Sequence, residues 1–122
     1  MGRYLISIIF IIAVGVGSAA IYFPGYWEHR FDPLIERHSR VYRVDELLVW
    51  SLIYEETYFR AWKVGADQEV GLMQVTPEAG RYVTKKFGAT YDEKRLLSDQ
   101  TYNVALGAAE LGDLYAEWHR LM

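Results

Sequence analysis

The sequence predicts a mostly α-helical chain, and three observations carry that prediction. Residues 4–27 hold no charge at all, 24 in a row between Arg3 and Glu28. Beyond that run, apolar residues recur at three- and four-residue steps behind recognisable helix-start signals. No segment sustains the period-two alternation of a half-buried strand.

The first element is the apolar run itself. Leu5–Phe23 is 19 residues long, with Ser7 and Ser18 as its polar members. At about 1.5 Å per residue it matches a hydrocarbon core of about 30 Å. Arg3 and the α-amino group lie on the short side, which puts the N-terminus in the cytoplasm and the remainder across the membrane. Tyr22, Tyr26 and Trp27 suit an interfacial aromatic belt. The same run has signal-peptide features: an apolar core over Leu5–Val16 and small residues, Ser18-Ala19-Ala20, where cleavage would fall. Residues 1–23 are therefore an anchor or a cleaved signal, and either one exports the remainder of the chain. Residues 24–31 are expected as a juxtamembrane linker.

The exported part opens at Asp32-Pro33, an N-cap acid followed by a proline at the first helical position, which predicts a helix to about Arg43. Asp45 can cap a second helix, Glu46 to about Thr57, built on Leu47, Leu48, Val49, Trp50, Leu52 and Ile53. Phe59–Val75 has no clean period and holds Gly65 and Gly71, so it reads as loop. Thr76-Pro77-Glu78 restarts a helix to about Phe87, where Gly88 is a natural stop. Ala89–Leu97 reads as a connection. The last helix, Asp99–Leu121, carries the stripe Val104, Ala108, Leu111, Leu114, Trp118 and Leu121.

Composition excludes several classes of function. The 122 residues contain no cysteine, which removes disulfide scaffolds and cysteine-ligated metals. His29, His38 and His119 share no ligand spacing, so no metal centre is expected. Residues 24–122 hold 12 basic and 16 acidic side chains, a net charge of −4, whereas a nucleic-acid binder needs a basic surplus.

Chemistry is expected at Glu56. Three, four and seven residues before it on the helix stand Ile53, Leu52 and Val49, so its carboxyl ends an apolar stripe. Partial desolvation there would favour the protonated form that a general acid needs. Helix geometry alone does not single it out, because Glu55 has Leu52 and Leu48 behind it.

Three short motifs change this. Glu56-Thr57-Tyr58-Phe59 on a helix, then Gly71-Leu72-Met73-Gln74 with Pro77 behind it, then Asn103-Val104-Ala105-Leu106-Gly107 in a later helix, resemble the lytic transglycosylase (SLT) domain. That family has a lysozyme-like fold and acts on bacterial peptidoglycan. The resemblance runs from about Asp32 to Trp118 and implies roles by position. Glu56 matches the single catalytic acid/base, which protonates the glycosidic oxygen between N-acetylmuramic acid and N-acetylglucosamine. It then deprotonates the muramoyl 6-hydroxyl, which closes to a 1,6-anhydro product. The substrate's own N-acetyl group takes the place of a second carboxylate. Thr57 stands at the family's serine position beside the acid and keeps a hydroxyl for substrate or for Glu56. Met73 and Gln74 match groove-lining residues, and Tyr58 is an aromatic candidate for the cleft with Tyr54 and Trp62. Phe59 reads as core. Asn103 reads equally as a structural residue or a substrate contact. No cofactor is implied, and the partners are glycan strands and, through the first helix, a membrane of the cell envelope.

Two departures from the family pattern stand out. Glu110 occupies the position where the family has a tyrosine. The family's closing helix, with its Ala-Tyr-Asn-Ala-Gly-like motif, has no counterpart before Met122, which would orphan the face formed by Leu111, Leu114, Trp118 and Leu121. Two other readings remain open. One is a non-catalytic peptidoglycan-binding or scaffolding module of the same fold. The other is a lysozyme-type hydrolase using Glu69 as a second carboxylate.

Overall fold

A computed structural model describes residues 1–122 and contains six helices and no sheet. The chain separates into two compact units, Met1–Arg30 and Phe31–Met122. The first is a single helix, α1 (Gly2–His29), with no buried residue. It is long and apolar enough to cross a membrane. The hydroxyl of Ser7 is satisfied within the helix, donating to Arg3 O at 3.0 Å. The segment expected as a linker is itself helical to His29, and Pro24 lies inside it. Pro24 removes one backbone donor, a loss that an apolar helix can absorb locally. The end of α1 is aromatic and cationic. Phe23 and Trp27 stack at 5.7 Å, and the Arg30 guanidinium lies 3.5 Å from the Trp27 ring centre.

The second unit holds α2 (Asp32–Tyr42), α3 (Glu46–Thr57), α4 (Pro77–Lys86), α5 (Glu93–Ser98) and α6 (Gln100–Leu121). Its caps follow from side-chain chemistry. Asp45 accepts from Leu48 N, Thr76 from Ala79 N and Asp99 from Tyr102 N, at 3.0, 3.1 and 3.2 Å. Each satisfies an amide that the first helical turn leaves unpaired. Two local expectations need correction. Phe31, not Asp32, is the N-cap of α2, so Asp32 and Pro33 are already helical, a position where the acid suits the helix dipole. The supposed connection 89–97 contains α5, capped by Asp92, whose carboxylate accepts from both Lys94 N and Arg95 N.

Helix α6 is the centre of this unit, packing against α2, α4 and α5. Its first half is buried through Asn103, Val104, Leu106, Gly107, Ala108 and Ala109. The other buried apolar residues are Ile35 of α2, Val49 and Ile53 of α3, Val83 of α4, Leu96 of α5, and Phe59, Leu72 and Val75 from the long loop. The second half of α6 leaves the core. Leu114, Trp118 and Leu121 are 60%, 61% and 75% exposed, while Leu111 is half-buried. These three side chains are mostly in solvent. Changing each to Gln is expected to alter the unfolding free energy by no more than about 0.5 kcal/mol in denaturant titrations. The triple variant is expected to bind markedly less of a fluorescent apolar dye.

Candidate active site

Residues 58–76 between α3 and α4 form no ladder beyond isolated pairings of Val70 with Val64 and Val75. Irregular backbone this close to a core needs partners for its amides and carbonyls. The loop's own turns supply many of them, and three polar side chains tie it to the helices or within itself.

Asn103 is the most fully engaged. It is 1% exposed on α6, and its amide group makes three hydrogen bonds. Oδ1 accepts from Met73 N at 2.9 Å, while Nδ2 donates to Val70 O at 2.8 Å and Leu96 O at 2.9 Å. Asn103 is thus a structural clamp, which settles the open reading of this residue. Gly71 is held against it. Gly71 has φ +77°, and a Cβ there would overlap the Asn103 amide. That is a close approach which only glycine permits.

Thr57 closes the other side. It is fully buried, with Oγ1 3.0 Å from both Ile53 O and Leu72 O. Its single proton can serve one carbonyl at a time. The hydroxyl is therefore a tie from α3 to the loop, buried away from any ligand and from solvent. Gln74, half-buried with φ 48°, donates through Nε2 to Lys63 O at 3.0 Å and Gly71 O at 2.9 Å. Both amide protons are engaged, which leaves its carbonyl oxygen as the end able to meet a ligand. Met73 is half-buried against α6, and a Cβ on Gly107 would overlap its sulfur. The missing side chain at Gly107 is what admits the thioether.

Glu56 lies in the last turn of α3 and is exposed. The partial desolvation expected from its apolar stripe is absent, because the stripe turns into the core while the carboxyl, one residue from the helix end, reaches water. Sequence reasoning missed Lys63. Its Nζ donates to Glu56 O at 2.5 Å, and its own carbonyl accepts from Gly71 N as well as Gln74 Nε2. Lys63 therefore links the backbone at Glu56 to the Gly71–Gln74 turn. A lysine near a helix C-terminus is the only sequence signal that could have marked it. Tyr58, 40% exposed, caps α3 at φ 49° and meets Tyr54 edge-on at 5.4 Å. Phe59 is fully buried, and Trp62 is exposed. Glu69 is half-buried and folds back on its own loop, accepting from Asp67 N at 2.8 Å.

A second feature of this unit is a groove of about 370 Å³ between α4 and α6, lined by Thr76, Ala79, Tyr82, Glu110 and Asp113 among others. Burial raises the Glu110 carboxyl above its ordinary range. Asp113 is paired with Lys86 and accepts from the Tyr82 hydroxyl at 3.2 Å.

The family model of the Transglycosylase SLT domain matches residues 33–122. The membrane-bound lytic murein transglycosylase C of Actinobacillus succinogenes is 32% identical over 91 residues, covering 73% of this chain and 25% of that protein. Its namesake in Photorhabdus laumondii is 35% identical over 88 residues, covering 70% and 25%. The chain thus spans about a quarter of the length of these curated relatives. A solved structure of lytic transglycosylase Slt from Pseudomonas aeruginosa, an inactive glutamate-to-glutamine mutant, superposes with a TM-score of 0.69 at 18% identity, over 76% of this chain and 15% of that one. The fold is shared with that protein.

Two outcomes are expected from the geometry. Asn103→Ala strands Met73 N and Leu96 O and takes one of two donors from Val70 O, and it is expected to cost about 3 kcal/mol in urea unfolding of the full chain in detergent, against about 1 kcal/mol for Thr57→Val. Glu110 acts in the opposite sense. Its carboxyl is raised in the folded chain, so its ionisation penalty is absent below the unfolded-state value and grows as pH rises toward the folded one. Glu110→Gln is therefore expected to raise Tm at neutral pH and to leave it unchanged in acid.

Proposed function

The chain belongs to the transglycosylase SLT domain family, and on that premise we propose that it is a peptidoglycan lytic transglycosylase with Glu56 as its single general acid/base. The observation that carries this reading is the placement of Glu56. It is an exposed carboxyl at the end of a helix whose inner face is buried, tied through Lys63 to the Gly71–Gln74 turn. A fixed backbone with a reachable carboxyl is what proton transfer to a bound glycosidic oxygen requires.

In the proposed reaction, Glu56 donates its proton to the oxygen between N-acetylmuramic acid and N-acetylglucosamine as the C–O bond breaks. The N-acetyl carbonyl of the substrate covers the developing positive charge at the anomeric carbon. Glu56, now a carboxylate, takes the proton of the muramoyl 6-hydroxyl, whose oxygen closes on that carbon and yields the 1,6-anhydro sugar. No water enters and no second carboxylate is needed. Sugar rings seated over Glu56 would exclude the water that surrounds it in the free chain. The free carbonyl of Gln74 and the thioether of Met73 would face those rings, with Tyr58 at the edge of α3. Residues 1–23 would hold the domain in the cell envelope, facing the periplasm or the exterior, with Arg3 on the cytoplasmic side.

A single glutamate-to-glutamine change accompanies inactivity in the Pseudomonas structure, which makes the same change the natural test. The native chain is expected to release 1,6-anhydromuropeptides from purified sacculi, and Glu56→Gln to release them at least about 10³-fold more slowly. Equal release by both chains would remove Glu56 from the reaction. Reducing-end products would instead favour a hydrolase using Glu69. Sacculus binding without any product would leave the non-catalytic module.

A further inference from the structure

Glu110 is half-buried on α6 and makes neither a hydrogen bond nor an ion pair. The rest of its groove is apolar or already satisfied, apart from Glu78, an exposed carboxyl that makes neither a hydrogen bond nor an ion pair. Ala79 and Leu114 line it, the Thr76 hydroxyl accepts from Ala79 N, and Asp113 is held by Lys86 and Tyr82. A carboxyl partly withdrawn from water with no donor beside it is unfavourable for the free protein. A ligand that brings a donor removes that penalty.

Chain connectivity and helix register set the groove next to Met73 and Gln74. Residues 103, 107, 110 and 114 succeed one another at steps of four, three and four, so they share a face of α6. Asn103 holds the Met73 amide, Gly107 receives the Met73 side chain, and Glu110 comes next, about 4.5 Å further along the axis. Thr76, on the groove wall, lies two residues after Gln74. One short stretch of chain, 73–76, therefore borders both the candidate cleft and the groove.

We propose that Glu110 is a specificity-determining residue, whose carboxyl accepts a hydrogen bond from an O–H or N–H donor of the substrate in an extension of the cleft beyond Met73. This rests on the peptidoglycan reading, where such a donor is a sugar hydroxyl or acetamido N–H, or an amino group of a stem peptide.

The test uses the full chain in detergent micelles, carrying Glu56→Gln to stop turnover. It measures fluorescence anisotropy of dye-labelled glycan strands with their stem peptides and with the stems removed. Adding Glu110→Ala is expected to weaken binding of intact strands about tenfold, the loss of one charge-assisted bond, and Glu110→Gln by less. If the donor is on the sugar, stripped strands lose as much. If it is on the stem, stripped strands bind both chains alike. Glu117→Gln, an exposed charge on the same helix, is expected to change nothing. The inference is overturned if Glu110→Ala binds both strands within twofold of the parent, if Glu117→Gln weakens binding equally, or if the parent binds neither strand. Failure of the catalytic reading looks different: the chain with Glu56 restored releases no anhydro product, yet the Glu110 effect on binding persists.

Discussion

The second unit depends on one buried amide. Asn103 meets Met73, Val70 and Leu96, joining the long loop and the end of α5 to the central helix. An apolar side chain of similar size would pack in that space but leave the Leu96 carbonyl and the Met73 amide without partners, while Val70 O would keep only Val75 N. The cost of such orphans exceeds the net gain from an ordinary hydrogen bond. Residues 58–76 can run beside the core without strands because backbone turns, together with Asn103, Thr57 and Gln74, take the place of a ladder. This makes the loop a fixed part of the scaffold.

That rigidity bears directly on Glu56. Helix α3 must end abruptly for the chain to turn under itself, and Tyr58 and Phe59 both take left-handed backbone conformations, φ 49° and 60°. Conformations of this kind persist only where surrounding contacts over-determine them. The burial of Phe59 and the Thr57 tie supply those contacts, and Lys63 returns to the Glu56 carbonyl. Glu56 is thereby fixed at the rim while its neighbours on either side of the turn go inward. A carboxyl buried deeper would be better shielded from water but harder for a polymer to reach.

Much of this was legible in the sequence wherever the interaction was local. The caps at Asp45 and Thr76 and the stop at Gly88 each depend on residues within one turn, and they fall as expected. Helix α5 was missed because six residues are too few for an apolar period to emerge; its one signal was the Asp92 cap. The site shows the same division. Motif order singled out Glu56, Met73 and Gln74 as candidates. It could not show that the Thr57 hydroxyl is consumed by Leu72 O, 15 residues away, or that Asn103 binds Val70 O, 33 residues away. The exposure of Glu56 was missed for a related reason. Helical spacing says which neighbours share a face, but not that the helix ends one residue later.

Glu110 sits where α6 changes character, and this explains how it can lack a partner. The four residues before it, Leu106 to Ala109, are buried, while Leu114 one turn later is 60% exposed. A carboxyl a turn earlier would lie within the core and require a cation. A turn later it would be an ordinary solvated charge. At the boundary it is desolvated enough to be raised by burial but open to the groove on its other side. Met73 and Asn103 fix the helix on the core side of that boundary. The position of Glu110 is therefore inherited from the same clamp that orders the loop. An acid placed there is costly for the free fold, and contact with a donor on a ligand is what would offset that cost.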